Sequence, residues 1–347
     1  MLWMPKEDSV KIVFVVASAE GAMCGVGDYT GRLAAAFRAA GADVHVEFLD
    51  RWSFAALMRL RRIHGRGRNT IVHLQYPSLT MGNSVAPAFL PLVFGTVFVT
   101  LHEFRIFSRI RKYLLWSHSR LDKGLIFSNR EERAVFEGYF PHAAGRLSVL
   151  PLGMNIPRLP APQGARPERL IYFGQISINK GIELFIETVE KLRAQDNRIE
   201  AAMIGALVDT DPSFVDYVRQ SAQRLQIELI LNLPAAAVSD ALNRSTLALL
   251  PFPDGISNKR SSALSCLDHG VTVLTTHSDL TADWLAQTTY PVTTVDDAVA
   301  SIDAIIAGRL PRQPDAGVLA RELKARDWTE IVQAHLALYA KALGKPA

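Results

Sequence analysis

Two cysteines in 347 residues, Cys24 and Cys266, are too few and too far apart for a disulfide framework or a thiolate metal cluster. His, Asp and Glu nowhere recur at ligand-like spacing, and Asp254 or Asp279 alone would make a poor magnesium site, so metal independence is expected. No apolar run approaches the roughly 20 residues of a membrane-spanning helix. The opening MLWMPKEDSV lacks a signal-peptide core, because Lys6, Glu7 and Asp8 interrupt it, and no internal repeat stands out. Together these shortages lead to the expectation of a soluble, cytoplasmic protein.

What the chain does have is apolar residues, 49 % of the total, over a length sufficient for two domains of ordinary size. Its net charge of +4 hides an asymmetry. Residues 1–155 hold 19 Lys and Arg against 12 Asp and Glu, whereas residues 156–347 hold 19 against 22. A basic front half beside a mildly acidic back half assigns any anionic partner surface to the first half.

Short apolar runs alternate with helix-length amphipathic stretches, the pattern of parallel α/β architecture. KIVFVVASA, VHVEFL, TIVHLQY, TVFVTLHE and GLIFSN read as strands buried on both faces, with a glycine-bearing loop and a helix through GDYTGRLAAAFRAA after the first. Pro151, Pro157, Pro160, Pro162 and Pro167 then exclude both helix and central strand, which predicts an extended linker. The pattern restarts with RLIYFG, IEAAMIG, IELILN, LALLPF and VTVLTT, separated by helices, and ends on an amphipathic helix around DWTEIVQAHLALYAKAL. The expectation is two doubly wound, Rossmann-like lobes facing a central cleft: residues 1–155, a linker at 156–168, and residues 169–325. A last helix within 326–347 follows. Ligands in such sheets sit beyond the carboxyl ends of the strands.

Four segments occupy those positions. In EGAMCGVGDYTG, Gly25 and Gly27 permit close backbone approach before a helix N-terminus, which favours a phosphate- or sugar-facing loop over a merely structural turn. A dinucleotide site is weakened by the long loop and by Thr30 in place of a third glycine, although Asp50 stands where a ribose-binding acid would. In TLHEF, His102 and Glu103 emerge at the end of a buried strand. In YFGQISINKG, a strand ends at Gly174 and Gln175, and Lys180 precedes a helix from which it would reach a diphosphate, without Walker spacing. In LLPFPDGISNKRSSALSCLDHG, a loop bearing Asp254, Ser257 and Asn258 brings Lys259 and Arg260 to a helix start that Ser261 or Ser262 would cap. Cations at the positive end of a helix are unfavourable unless an anion joins them, so a phosphate site is expected here.

In order and spacing, CGVGDYTGRLA, VHLQYP, TLHEF, FSNREERAVF, LPLGMNIP, YFGQISINKG and PFPDGIS…LDHGVTVLTT resemble the GT-B glycosyltransferases of family four over nearly the whole chain. That resemblance implies retaining, metal-independent transfer from a nucleoside-diphosphate sugar, UDP- or GDP-linked, with no other cofactor. It places the donor on the second lobe and the acceptor, lipid-linked or a polysaccharide, on the first. Gly25, Gly27, Gly174, Gln175 and Lys180 would meet the donor, His102 would face the transferred sugar, and a C-terminal segment containing Trp328 would pack back on the first lobe. Two departures stand out. The family's arginine five residues before the lysine is Gln175 here, and its two glutamates separated by seven residues are Ser257 and Ser265. Asp254 is the acid available to replace the first, and Lys259 and Arg260 the cations available for the missing arginine. The absent glutamates also leave open a partner protein that kept the fold and lost catalysis, and Asp50 leaves open a nicotinamide-dependent oxidoreductase.

FRIFSRIRKYLLWSHSRLDK, residues 104–123, interleaves basic and apolar residues. Read as one helix, it puts Phe107, Ile110 and Leu114 on one stripe and Arg105, Arg109 and Lys112 elsewhere. With Arg59, Arg61, Arg62, Arg66 and Arg68 it leads to the expectation of peripheral contact with an anionic membrane, on its cytoplasmic face. A packing helix with a solvated basic face has the same pattern. No nucleic-acid partner is expected.

Overall fold

The computed structural model of the chain describes residues 10–17, 25–67, 69–78, 82, 84–161, 164, 166–197, 199–208 and 211–345. The chain divides into two compact units, Met1–Gly153 with Ala325–Ala347, and Met154–Lys324.

In the first unit the order is β1 (Lys11–Val16), α1 (Gly25–Ala39), β2 (Asp43–Phe48), α2 (Phe54–His64), β3 (Thr70–Tyr76), α3 (Leu90–Val93), β4 (Val97–Leu101), α4 (Arg109–Tyr113), α5 (Trp116–Leu121), β5 (Gly124–Phe127), α6 (Arg130–Tyr139) and β6 (Leu147–Val149). A 3-10 turn, Ala86–Phe89, leads into α3. All six strands are parallel in the order β2-β1-β3-β4-β5-β6, with Lys11 opposite Asp43 on one side and Thr70 on the other. The unbroken run of β1 follows from its position. Val13 and Val15 enter one core cluster with Leu57, Leu74 and Phe127, and Ile12 and Phe14 enter another with Leu33 and Phe37. Alternate residues therefore feed opposite faces, and neither face is left for polar side chains.

The second unit runs β7 (Arg169–Phe173), α7 (Ile182–Ala194), β8 (Glu200–Gly205), α8 (Pro212–Leu225), β9 (Ile227–Leu231), α9 (Ala235–Asn243), β10 (Leu247–Leu250), α10 (Ser261–Asp268), β11 (Thr272–Thr275), α11 (Asp283–Thr288), β12 (Tyr290–Pro291), α12 (Val295–Ile306) and α13 (Ala316–Ala325), whose last residue falls in the first unit. Its sheet is also parallel, in the order β12-β11-β10-β7-β8-β9. The switch in winding direction thus lies between β7 and β10, and in the first unit between β1 and β3. The described residues between Leu150 and Glu168 form no helix or strand. Leu159 is tied to α9, donating from its backbone to Ser239 Oγ at 3.0 Å and accepting from the Asn243 amide at 3.0 Å.

The chain then returns to the first unit with α14 (Trp328–Leu343). Asp327 caps its start by accepting from the Thr329 N–H, and Gly344 ends it at φ 67°. Ile331, Val332, Leu336 and Tyr339 complete the cluster built on Ile12, Phe14 and Phe37. At Gly153 a β-carbon would lie 2.6 Å from the Trp328 ring, so only glycine lets the chain pass there. The Tyr339 hydroxyl bonds His73 Nδ1, and His73 Nε2 bonds Thr100 Oγ1 at 2.8 Å, which fastens α14 to β3 and β4 through a fully buried polar chain.

Three sequence expectations are corrected. Residues 104–123 are not one helix but α4 and α5, two short turns broken at Leu114 and Leu115; Phe107 is buried while Ile110 is 80 % exposed, so they share no stripe. The helix after β1 begins at Gly25, two residues earlier than expected, so Gly25 and Gly27 sit in its first turn rather than in the loop before it, of which residues 18–24 lie outside the described residues; Asp28 favours the positive helix end. Each sheet also gains a sixth strand, β6 and β12, of three and two residues, too short to leave a periodicity.

Burial holds His335 down to about 4, and burial with the neighbouring charges of His335 and His102 keeps His73 well below the ordinary 6.5. In the unfolded chain both take up a proton as the pH falls through 6.5, and the folded chain does not follow. Their contribution to stability is therefore complete above pH 6.5 and falls as the pH drops below it, that of His335 being lost by about pH 4. Unfolding at about pH 5 is expected to cost on the order of 2 kcal/mol less than at about pH 7.5 on account of His335. His335→Gln, which cannot titrate, should flatten that dependence in pH-resolved denaturant melts.

Candidate functional site

In the second unit the polar residues gather at the carboxyl ends of β7, β8 and β10, on the winding switch. Gly174 follows β7 at φ 147°, and the space its side chain would take lies 3.7 Å from Ser262 Oγ, in the first turn of α10. Gly205 ends β8 so close to this strand end that a β-carbon would lie 1.7 Å from the Gly174 carbonyl. Gly181, which precedes α7, presses on the Pro251 carbonyl after β10, 2.1 Å from where a side chain would begin, and adopts φ 72°. The Gly174 loop thus meets the start of α10, and the Lys180–Gly181 step meets the end of β10. Lys180 is half-buried and Gln175 exposed.

Arg260 holds the N-cap position of α10, with no side-chain cap among the described residues, so Ser261 and Ser262 belong to the first turn and do not cap it. The guanidinium forms an ion pair with Asp254 and lies 4.7 Å above the Phe252 ring. The excess of cations expected there is therefore offset in part by an acid from the same loop. Tyr172 lies on the same end of the sheet: burial pushes its hydroxyl up, partly opposed by the Arg260 charge, and it donates to the Gln175 carbonyl at 3.0 Å. Asn258 is taken up by the Trp284 indole N–H at 2.8 Å. Ser257 is half-buried, and its carbonyl accepts the Arg260 N–H. Ser265 is 2 % exposed, deeper in α10, and Lys259 is exposed on the loop. Gly174, Lys180, Asp254 and Arg260 are thus brought to one sheet end, whereas Asn258 and Ser265 are engaged within the unit.

In the first unit His102 follows β4 and is 8 % exposed. Its Nε2 lies 2.8 Å from Gln75 Oε1, and its ring is edge-on to Tyr29 at 5.2 Å. Gln75, near the end of β3, is fully buried, and its Nε2 has no hydrogen-bond partner among the described residues. A buried donor left unmet costs about 1–3 kcal/mol, so the Gln75 amide is a group that a polar ligand or water at this strand end would satisfy. The Ala17 N–H, just past β1, donates to Ser78 Oγ at 2.8 Å, closing the β1–β3 switch point beside α1. Gly25 is exposed and Gly27 buried at the start of that helix. Gln75 escaped the sequence reasoning, although a polar residue near the end of the apolar run TIVHLQY is the same signal that marked His102. Asp50 lies exposed beyond β2.

Solved structures share this architecture along the whole chain. A glycosyltransferase from Rickettsia africae ESF-5 matches at a TM-score of 0.75 and 12 % identity, over 98 % of this chain and 100 % of that one. HepE from Anabaena, in complex with UDP, matches at 0.67 and 13 %, over 95 % and 100 %. The catalytic domain of starch synthase IV from Arabidopsis thaliana, bound to ADP and acarbose, matches at 0.61 and 10 %, over 97 % and 100 %. Neither a protein-family model nor a curated protein matches the sequence. The fold is GT-B, an α/β arrangement with two parallel six-stranded sheets.

Arg260→Ala removes an ion pair whose acid is 67 % exposed and a contact with one ring. Such contacts hold little stability, so a loss of no more than about 2 kcal/mol is expected in urea melts.

Proposed function

We propose that this chain transfers a sugar from a nucleoside diphosphate, bound at the β7–β10 switch of the second unit, to a saccharide or lipid-linked acceptor on the first unit. The observation that carries this reading is that the Gly174 loop meets the first turn of α10, whose N-cap is Arg260, while the Lys180–Gly181 step meets the Pro251 end of β10. Glycine lets a ligand approach the backbone, the helix start offers N–H groups, and the two side chains supply positive charge. A diphosphate is the group that satisfies all of these. That HepE and starch synthase IV were solved with UDP and ADP supports a nucleotide in this fold.

In the proposed reaction the bond from the sugar's anomeric carbon to the diphosphate breaks as the acceptor oxygen bonds to that carbon from the same face, which retains configuration. The acceptor's proton passes to an oxygen of the departing diphosphate, whose growing charge Lys180, Arg260 and the α10 amides stabilise. Asp254, already paired with Arg260, would orient that guanidinium and face the sugar. His102, held by Gln75, would present a fixed imidazole at the first unit's strand ends. Metal-free transfer is part of the proposal, with Lys180, Arg260 and the α10 amides taking the part a cation would play at the departing diphosphate.

UDP or GDP is expected to raise the thermal midpoint, and NAD is not; the opposite result would favour the oxidoreductase. Lys180→Ala and Arg260→Ala should each cost about 1.5–3 kcal/mol in turnover with the fold intact, and together less than the sum if they hold one diphosphate. Unchanged activity in both would remove the assignment. Turnover should persist in excess EDTA, and donor binding without any turnover by the purified chain would identify a partner protein instead.

A further inference from the structure

Between Arg51 and Lys123 the chain has twelve Lys and Arg and only two acids, Glu103 and Asp122. Asp122, buried against His118 at 2.7 Å, and Lys112, also buried, contribute nothing to the surface, which leaves Glu103 as the one acid beside eleven cations. The same stretch carries an unusual set of exposed apolar side chains. Ile110 is 80 % exposed, Ile106 69 %, and Val85, Phe89, Tyr113 and Trp116 are all exposed. These come from separate segments that the fold joins. Ser117 Oγ donates to the Ala88 carbonyl at 2.5 Å and His118 Nε2–H to the Pro87 carbonyl at 2.9 Å, which seats α5 on the turn bearing Phe89. Val85, Ile106 and Ile110 line one cavity of about 770 Å³.

The cations are distributed among the apolar tips. Arg105 adjoins Ile106, Arg109 adjoins Ile110, both arginines are exposed, and the Arg120 guanidinium lies 5.8 Å from the Trp116 ring. A bare apolar patch would fit another protein, and a bare cationic patch any polyanion. Alternation of the two at neighbouring positions fits a boundary at which anionic head groups and acyl chains lie a few ångströms apart. We infer that this flank of the first unit, from Val85 to Arg120, docks on an anionic lipid bilayer, with Ile106 and Ile110 entering the acyl margin and Arg105, Arg109 and Arg120 meeting the phosphates. The cavity within the patch is also lined by Glu103, next to His102. On the transfer reading proposed above, it gives a lipid-borne acceptor a way to the end of β4; docking itself does not rest on that reading.

Sedimentation of the full chain with vesicles tests this. It should pellet with phosphatidylcholine–phosphatidylglycerol vesicles at low salt, release at high salt, and ignore phosphatidylcholine alone. Ile106→Ser with Ile110→Ser, and separately Arg105→Gln with Arg109→Gln, should each lower bound protein about tenfold or more with unchanged thermal midpoints. Negligible binding to both vesicle types would overturn the proposal. Salt-sensitive binding that survives the isoleucine pair unchanged would also overturn it, pointing to a soluble polyanion or an acidic protein. Nucleotide-induced thermal shifts, measured on the same samples, report on the donor site separately, so either idea can fail alone.

Discussion

A parallel strand covered by helices on both faces has no side turned to water. Val13 and Val15 feed one cluster and Ile12 and Phe14 the other, and β10 and β11 of the second sheet are likewise buried along their whole length. Polar chemistry is thereby driven to the strand ends, where the chain leaves the sheet and its side chains escape the double cover. His102, Gln75, Gly174 and the Pro251 loop are all consequences of that one constraint. Polar residues inside the sheet need a dedicated partner, as His73 has in Tyr339 and Thr100, whereas at the strand ends they stand ready for a ligand.

The second unit shows how narrow that tolerance is. Gly205 against Gly174, and Gly181 against Pro251, bring backbone so near backbone that a single methyl group would collide. The charged residues are accommodated differently. Arg260 reaches the start of α10 already partnered by Asp254 and backed by Phe252, so its charge is presented without being stranded. An incoming diphosphate would compete with a carboxylate for a guanidinium that is already in place.

Sequence periodicity was sufficient for the long strands, because burial on both faces writes an uninterrupted apolar run. It failed for β6 and β12, which span less than one repeat of any recognisable pattern. It also failed between Phe104 and Lys123, where spacing suited to a helix is broken by a bend at Leu114 and Leu115, and residues three apart face in unlike directions. At the candidate site, residue type and strand-end position were legible, since both follow from the sheet. Pairing was not: nothing in the order of residues says that Asp254 folds onto Arg260, that Trp284 takes Asn258, or that Gln75 holds His102.

The return of α14 to the first unit has a consequence for the order of assembly. The face of the first sheet built on Ile12, Phe14 and Phe37 lacks its cover until residues 328–343 leave the ribosome, by which time all of Met154–Lys324 has been synthesised. The half of the protein made first is therefore the last to be finished. During that interval α1 alone covers this face, and the imidazole of His73 waits for Tyr339, so the strip left open is surface of the kind that favours aggregation.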